Sequence, residues 1–301
     1  MELLQLKYFQ VVARLENVTR AAEELHIAQP SLSTTIARLE KSVGVPLFER
    51  QGRRIRLNQF GNIFLRRVER SFNELEEGRR EVVDLAGLER GSVAVGATTS
   101  RLSPNFFKEY LTQHPHIKFR LLQITRFLEI QERLVNGEID LCISSLPIDQ
   151  PEIHCEPLIT EEILLAVPPE HRLAGCKSIQ LKEIANEPFI IPTTECEFRE
   201  ITNGFCKQAG FTPNIAFEST THELICGLVK SGFGNAFIPA NWWEENSTDL
   251  PVQLHIEYPT CQRTIWLSWV KERYLSAATL NFSKFVVEYF SRAAAGAYCP
   301  T

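Results

Sequence analysis

The stretch Asn17-Val18-Thr19-Arg20-Ala21-Ala22-Glu23-Glu24-Leu25-His26-Ile27-Ala28-Gln29-Pro30-Ser31-Leu32-Ser33-Thr34-Thr35-Ile36-Ala37-Arg38 decides how the N-terminal region folds. Asn17 is a good helix cap, so a short helix is expected from Val18 to Leu25. Its Ala21-Ala22 pair lets a neighbouring helix approach closely. A tight connection, His26-Ile27-Ala28, leads to a further helix from about Gln29 to Val43. Pro30 is tolerated there because first-turn N–H groups have no intrahelical partner. Leu32, Ile36, Leu39 and Val43 form the apolar stripe of this helix, and Gln29, Ser31, Ser33, Thr34, Thr35 and Arg38 lie on the opposite side. Upstream, Leu3, Leu6, Phe9, Val12 and Ala13 mark one face of a first helix.

A short helix, a tight turn and a polar-faced helix make a helix-turn-helix, whose second helix can enter the major groove. Short Ser, Thr and Gln side chains reach base edges and phosphates without holding the backbone away. Downstream, Glu49-Arg50-Gln51-Gly52-Arg53-Arg54-Ile55-Arg56-Leu57 reads as a β-hairpin wing around a Gly turn. The candidate DNA contacts are therefore Thr19, Arg20, Gln29, Pro30, Ser31, Ser33, Thr34, Thr35 and Arg38, with Arg50, Arg53, Arg54 and Arg56 of the wing.

Phe9, Ala21-Ala22-x-x-Leu25, Gln29-Pro30-Ser31-Leu32-Ser33, Leu39-Glu40, Gly44, Leu47-Phe48-Glu49-Arg50 and Leu57-Asn58-Gln59-Phe60-Gly61 together resemble the LysR-type transcriptional regulators. The resemblance runs to about residue 290. Asn58 replaces the usual Thr and caps equally well. Ala28 stands where Ser or Thr often caps the recognition helix, which removes one N-terminal contact. The resemblance implies an α + α/β chain: a winged helix-turn-helix over 1–58, a linker helix over 59–90 and an effector domain over 91–301. That domain would be two-lobed and similar to type 2 periplasmic binding proteins. Lobe 1 takes about 91–162 and 269–301, and lobe 2 about 163–268. It also implies double-stranded operator DNA, a small-molecule effector, dimers paired into homotetramers, and an RNA polymerase contact if the protein activates.

Composition agrees with a folded, multi-domain chain: 301 residues, 44% hydrophobic and 23% charged, which excludes disorder and low complexity. Through residue 70 there are 12 Lys and Arg against 7 Asp and Glu, and the rest holds 20 against 30. A basic head on an acidic body suits a polyanion partner. No apolar run is long enough for a membrane span, and the N-terminal Met1–Lys7 carries an acid rather than a secretory core, so a cytoplasmic protein is expected. The eight cysteines form no C-x-x-C pair and no zinc spacing, so packing is their default role.

From Gln59 to about Leu88 no proline interrupts the chain, and Leu65, Val68, Phe72, Leu75, Arg79, Val82 and Ala86 alternate three and four apart. That is a heptad seam, expected to dimerise. Beyond Gly91, strands at Ser92–Val95, Lys118–Leu122 and Leu141–Ser144 alternate with helices, which argues for an open parallel sheet. A second set follows from Ile163, and Thr264–Val270 with a last helix returns to the first lobe. Ligands of such sheets sit beyond the carboxyl ends of strands. This selects Thr98, Thr99, Ser100, Thr125, Arg126, Ser144 and Ser145 on lobe 1, and Pro192, Thr193, Thr194, Ser219 and Thr220 on lobe 2. The family resemblance adds that positions matching Thr98–Ser100 and Thr125 often hold a carboxylate inducer, so a small polar or anionic effector is expected.

Enzymatic readings lack a constellation. His114-Pro115-His116 has no accompanying ligands, His222 and Cys226 are one turn apart without a third partner, and Gly232-Phe233-Gly234 is not a phosphate loop. No metal or cofactor is expected. One alternative is thiol-based redox sensing through Cys196 and Cys206, which in a peroxide-sensing branch of the family lie in this segment. Here nine residues separate them, one more than in that branch, and Glu195 and Glu197 beside Cys196 work against thiolate chemistry. A remoter alternative is a small-molecule binding protein without a DNA role, which leaves the first sixty residues unexplained.

Overall fold

A computed structural model describes residues 1–51, 54–86, 91–99, 102–124, 126–194, 196–240 and 251–296, with backbone alone at 50, 51, 54 and 294–296. Contacts divide the chain into two compact units, one built on Met1–Ala86 and one on Gly87–Val135 with Ile139–Thr301.

The first unit, the head, runs α1 (Leu3–Leu15), α2 (Val18–Glu24), α3 (Gln29–Val43), β1 (Phe48–Gln51), β2 (Arg54–Leu57) and α4 (Gln59–Leu85). Asn17 caps α2 as its side chain requires, accepting the N–H groups of Thr19 and Arg20 at 3.1 Å each. Leu6, Phe9, Val12 and Ala13 of α1 pack on Ala21, Ala22, Leu32, Ile36 and Leu39. Leu3, expected on that face, lies a turn outside the core and is exposed. Ala28 gives α3 no side-chain cap bond, and Gly44, at φ +90°, closes its C-terminus. The Glu40 carboxylate then accepts the N–H groups of Leu47 at 2.7 Å and Phe48 at 3.2 Å, which ties α3 to the wing. The wing is an antiparallel hairpin with Glu49 opposite Arg56 and Gln51 opposite Arg54. Asn58 caps α4 through the Gly61 N–H and donates to the Pro46 carbonyl. Any Cβ at Gly61 would lie 2.1 Å from the Leu47 carbonyl oxygen, so only glycine lets α4 start against the wing.

The seam on α4 differs from expectation. Val68 is buried in the head, and Leu65 and Phe72 pack beside it, because the head's three helices leave that side of its core open. The apolar residues left exposed on α4 are Phe60, Ile63, Leu75, Val82 and Leu85. At about 100° per residue they fall within roughly 120° of arc, with Gly78 among them.

The second unit, the body, contains β3 (Ser92–Ala97), α5 (Pro104–Gln113), β4 (Lys118–Gln123), α6 (Phe127–Asn136), β5 (Leu141–Ser144) and β6 (Ile153–Val167). There follow β7 (Ser178–Gln180), β8 (Pro188–Pro192), α7 (Glu197–Gln208), β9 (Asn214–Ser219), α8 (His222–Lys230), β10 (Ala236–Pro239), β11 (Val252–Tyr258), β12 (Gln262–Val270) and α9 (Ala277–Gly296). The main sheet has the order β4-β3-β5-β12-β6-β11-β7, with β10 also on β6, and β8-β9 form a separate parallel pair. β4-β3-β5 is the expected parallel set, and β7 and β11 also pair parallel at the other edge. β12 is antiparallel to both β5 and β6, and β10 and β11 are antiparallel to β6, so the sheet is mixed.

β6 changes partners along its length. Ile153–Glu162 pair with β12, and Ile163–Val167 pair with β10 and β11. One core gathers Val93, Phe106, Tyr110, Leu141, Ile265, Leu267, Phe282 and Phe290, and another gathers Ile163, Leu165, Phe189, Phe198, Phe205 and Phe237. The return to the first core is thus under way at Ile265. Among the described residues, no helix is long and apolar enough to cross a membrane.

Candidate nucleic-acid interface and inter-lobe cleft

In the head, Thr19, Arg20, Gln29, Pro30, Ser31, Ser33, Thr34 and Arg38 are exposed, and Thr35 is half-buried. The side of α3 opposite to Leu32, Ile36 and Leu39 is therefore available along its N-terminal half. Its polar groups are ordered among themselves. Gln29 donates from Nε2 to Ser33 Oγ at 2.9 Å, and the Thr34 and Thr35 hydroxyls donate to the carbonyls of Pro30 and Ser31. Thr34 and Thr35 thus meet a ligand as acceptors, while Gln29 and Ser33 act as one unit. Arg56 on the wing has its Nε 3.6 Å from Glu16 Oε2, an exposed pair worth under about 1 kcal/mol that a phosphate can outcompete. Arg53, and the side chains of Arg50 and Arg54, lie outside the described residues.

In the body, the strand-end residues converge on a group that sequence reasoning did not select. Glu197, in the first turn of α7, is 4% exposed. Its Oε2 accepts the Thr98 hydroxyl and the Ser145 backbone N–H, both at 2.8 Å. Those donors follow β3 and β5, and Thr98 is among the positions where the family resemblance puts an inducer carboxylate. The chain supplies its own carboxylate there. Its Oε1 is buried and accepts no hydrogen bond from the described residues. Burial pushes the Glu197 carboxyl up to about 7, against the pull of the Thr98 and Ser145 bonds and the Arg263 charge.

Beside it, Arg263 of β12 donates through Nε to Glu161 of β6 and through Nη1 to Ser145 Oγ at 3.2 Å. Its guanidinium lies 4.9 Å over the Phe198 ring. Arg263 and Glu161 are register partners and both are buried. His222, at the start of α8, is held below the usual imidazole range by burial and by the Arg263 charge.

The other expected effector residues are placed as follows. Thr99 is buried. Ser144 and Ser219 are buried with their hydroxyls donating to the Leu146 and Thr221 carbonyls, a local turn role. Arg126 is exposed and forms a backbone bridge with Cys196, linking the two lobes. Pro192 and Thr193 are half-buried, with the Thr193 N–H donating to the Ser219 carbonyl, and Thr194 and Thr220 are exposed. Ser100 and Thr125 lie outside the described residues. The cysteine pair is held apart: Cys196 precedes α7 and Cys206 lies inside it, so about 15 Å of helix rise separates them, beyond disulfide reach. Burial also pushes the Cys206 thiol up to about 12. Among the described residues, no three His, Cys, Asp or Glu gather as metal ligands.

A helix-turn-helix head joined to a two-lobed body with a polar cluster between its lobes defines a DNA-binding regulator with an effector domain. The chain matches the family described as bacterial regulatory helix-turn-helix protein, lysR family, over residues 3–62, and the LysR substrate binding domain over 86–291. It belongs to the LysR family of transcriptional regulators, whose members are not enzymes. An uncharacterized HTH-type transcriptional regulator of Bacillus subtilis (strain 168), YybE, is 38% identical over 294 residues, covering 97% of this chain and 100% of the relative. The transcriptional dual regulator GltC of the same organism is 34% identical, covering 97% of this chain and 98% of its own. The fold is similar to that of CbnR in complex with its target DNA, with a TM-score of 0.72 and 24% identity over 98% of this chain and 100% of that one.

The raised Glu197 carboxyl has a thermodynamic consequence. Its folded-state value lies above the ordinary 4.5, so the folded protein binds the proton more tightly than the unfolded chain does. Stability therefore falls as pH rises from 4.5 to about 7 and then levels, a loss of about 3 kcal/mol at 1.4 kcal/mol per unit. The Glu197→Gln variant, whose amide oxygen still accepts both bonds, should escape that loss. Urea denaturation of both proteins between pH 4.5 and 8 checks this, and parallel curves would show that the carboxyl carries no such burden.

Proposed function

We propose that this regulator reads a specific operator through α3 and answers to a small polar effector held between the lobes of its body. The observation that carries the reading is the exposed polar side of α3, Gln29 to Arg38, backed by a buried stripe and flanked by Thr19 and Arg20. Gln29, Ser31, Ser33, Thr34 and Thr35 present short donors and acceptors suited to base edges. Arg20, Arg38 and the wing residues Arg50, Arg53, Arg54 and Arg56 supply charge for phosphates or the minor groove. CbnR, similar in fold, is recorded in complex with its target DNA, which supports the same use of this head.

A single copy reads half a site. The exposed stripe of Phe60, Ile63, Leu75, Val82 and Leu85 on α4 supports a dimer through that helix, because a second copy removes it from water and Gly78 permits close approach. Pairing of dimers into a tetramer, and a contact with RNA polymerase if the protein activates, complete the assembly. In the body, Thr98, Ser145 and Glu197 join the lobes, so an effector that rearranges this junction has the differential affinity a switch needs.

Fluorescence anisotropy with DNA from upstream of its own gene and a scrambled duplex, at two salt concentrations, tests the first half. Arg20→Ala and Arg38→Ala should weaken both duplexes and each lower the salt slope by about 1. Ser33→Ala, which releases the Gln29 amide, should instead change the preference between operators, and uniform loss across sequences would remove α3 as the reader. Thr98→Ala should keep operator affinity and lose the effector-dependent change in reporter expression. Sedimentation equilibrium is expected to show Leu75→Glu or Val82→Glu as monomers with weakened operator binding. Persistence of the dimer in both would move the interface elsewhere.

A further inference from the structure

We propose that the inter-lobe cleft takes a small organic cation, an ammonium-bearing molecule that donates an N–H to Glu197 Oε1. This rests on the reading of the cleft as an effector site and adds the chemical class of the effector. Four observations carry it. First, the two donors that follow β3 and β5, the Thr98 hydroxyl and the Ser145 N–H, are both taken by Glu197 itself. Second, the other oxygen of that carboxylate is buried with no donor among the described residues. A buried acceptor left unmade costs desolvation, and a ligand N–H removes that cost on binding.

Third, Arg263, the buried cation of the cluster, is already committed. Arg263 donates to Glu161 and to Ser145 Oγ, and its guanidinium covers Phe198. Fourth, the charges sum against an anion. Glu161 of β6 and Arg263 of β12 cancel, which leaves ionised Glu197, with the Glu200 carboxylate near it, as the excess charge of the cluster. The other groups facing it are Glu200 on α7, the Cys142 thiol on β5, held protonated by burial, and His222 on α8, whose imidazole burial and Arg263 hold below its usual range. A monocation reduces this excess negative charge, whereas a monoanion adds to it unless Glu197 first takes a proton.

The protonation of Glu197 sets the sign of the test. An ammonium pairs with ionised Glu197, so its binding strengthens as pH rises through about 7. A carboxylate needs the protonated acid, so its binding strengthens as pH falls. The probes are butylammonium and butyrate, titrated into the full-length protein by isothermal calorimetry at pH 6 and pH 8 at equal ionic strength. Butylammonium should bind about tenfold more tightly at pH 8, because the ionised fraction rises from roughly a tenth to roughly nine-tenths. Glu197→Gln should weaken it at least tenfold and flatten the pH dependence. The wild-type pH comparison needs no variant, so it decides the matter even if Glu197→Gln fails to fold. Tighter binding of butyrate, strengthening at pH 6 and lost in Thr98→Ala, would keep the cleft and overturn the cation. Butylammonium binding indifferent to pH and to Glu197→Gln would overturn it too. Binding of neither probe would refute the cation and count against the cleft itself.

Discussion

The ladder between β6 and β12 places nearly everything in the body. Nine register pairs run from Val270 opposite Ile153 to Gln262 opposite Glu162, and beyond them β6 continues into the second lobe on β10 and β11. The pair near the crossing is Arg263 opposite Glu161, both buried, so strand register alone sets a guanidinium against a carboxylate between two apolar cores. Burial of that kind is tolerable only when both ions are well bonded. Arg263 meets the condition by reaching Ser145 as well, and Ser145 in turn donates its N–H to Glu197. One cross-strand pair thereby organises a junction that includes β5, α7 and, through the Thr98 hydroxyl, the end of β3.

The head follows a different economy. Its core is small and largely helical, and its order comes from local side-chain bonds: Asn17 on α2, Glu40 on the wing, Asn58 on α4. These are short-range devices that hold backbone donors which would otherwise lack partners. The same economy extends to the surface of α3, where Gln29, Ser33, Thr34 and Thr35 are bonded within the helix. In the proposed role of α3 as the reader, a surface ordered in this way loses less side-chain entropy on meeting DNA.

Local devices are also what a sequence displays. The three head helices, the wing and the strands β3, β4 and β5 were legible from period, caps and Gly turns. The first part of β6 was not, because Pro157 argues against a strand interior. In the fold Pro157 lies opposite Trp266, at the irregularity where Leu158 is the extra residue, so the proline sits where the ladder is already broken. The strand-end rule found Thr98 and Ser145 but not Glu197, since an acid in a first helical turn reads as ordinary dipole compensation. Arg263 and Glu161 are 102 residues apart, and nothing near either announces the other. The seam on α4 misled in part, because a stripe that suits a partner helix suits a parent core equally well. Leu65, Val68 and Phe72 took the second option.

Only two strands carry the chain between the lobes, and they are bonded to each other. Such a ribbon is soft to bending across its flat face, while sliding or splaying its strands would break the ladder. The lobes are therefore joined as two boards on a strip of leather, with one easy angular coordinate and few others. On the proposed reading, a molecule acting on the junction has a single dial to turn, and the rest of the protein has a single dial to read.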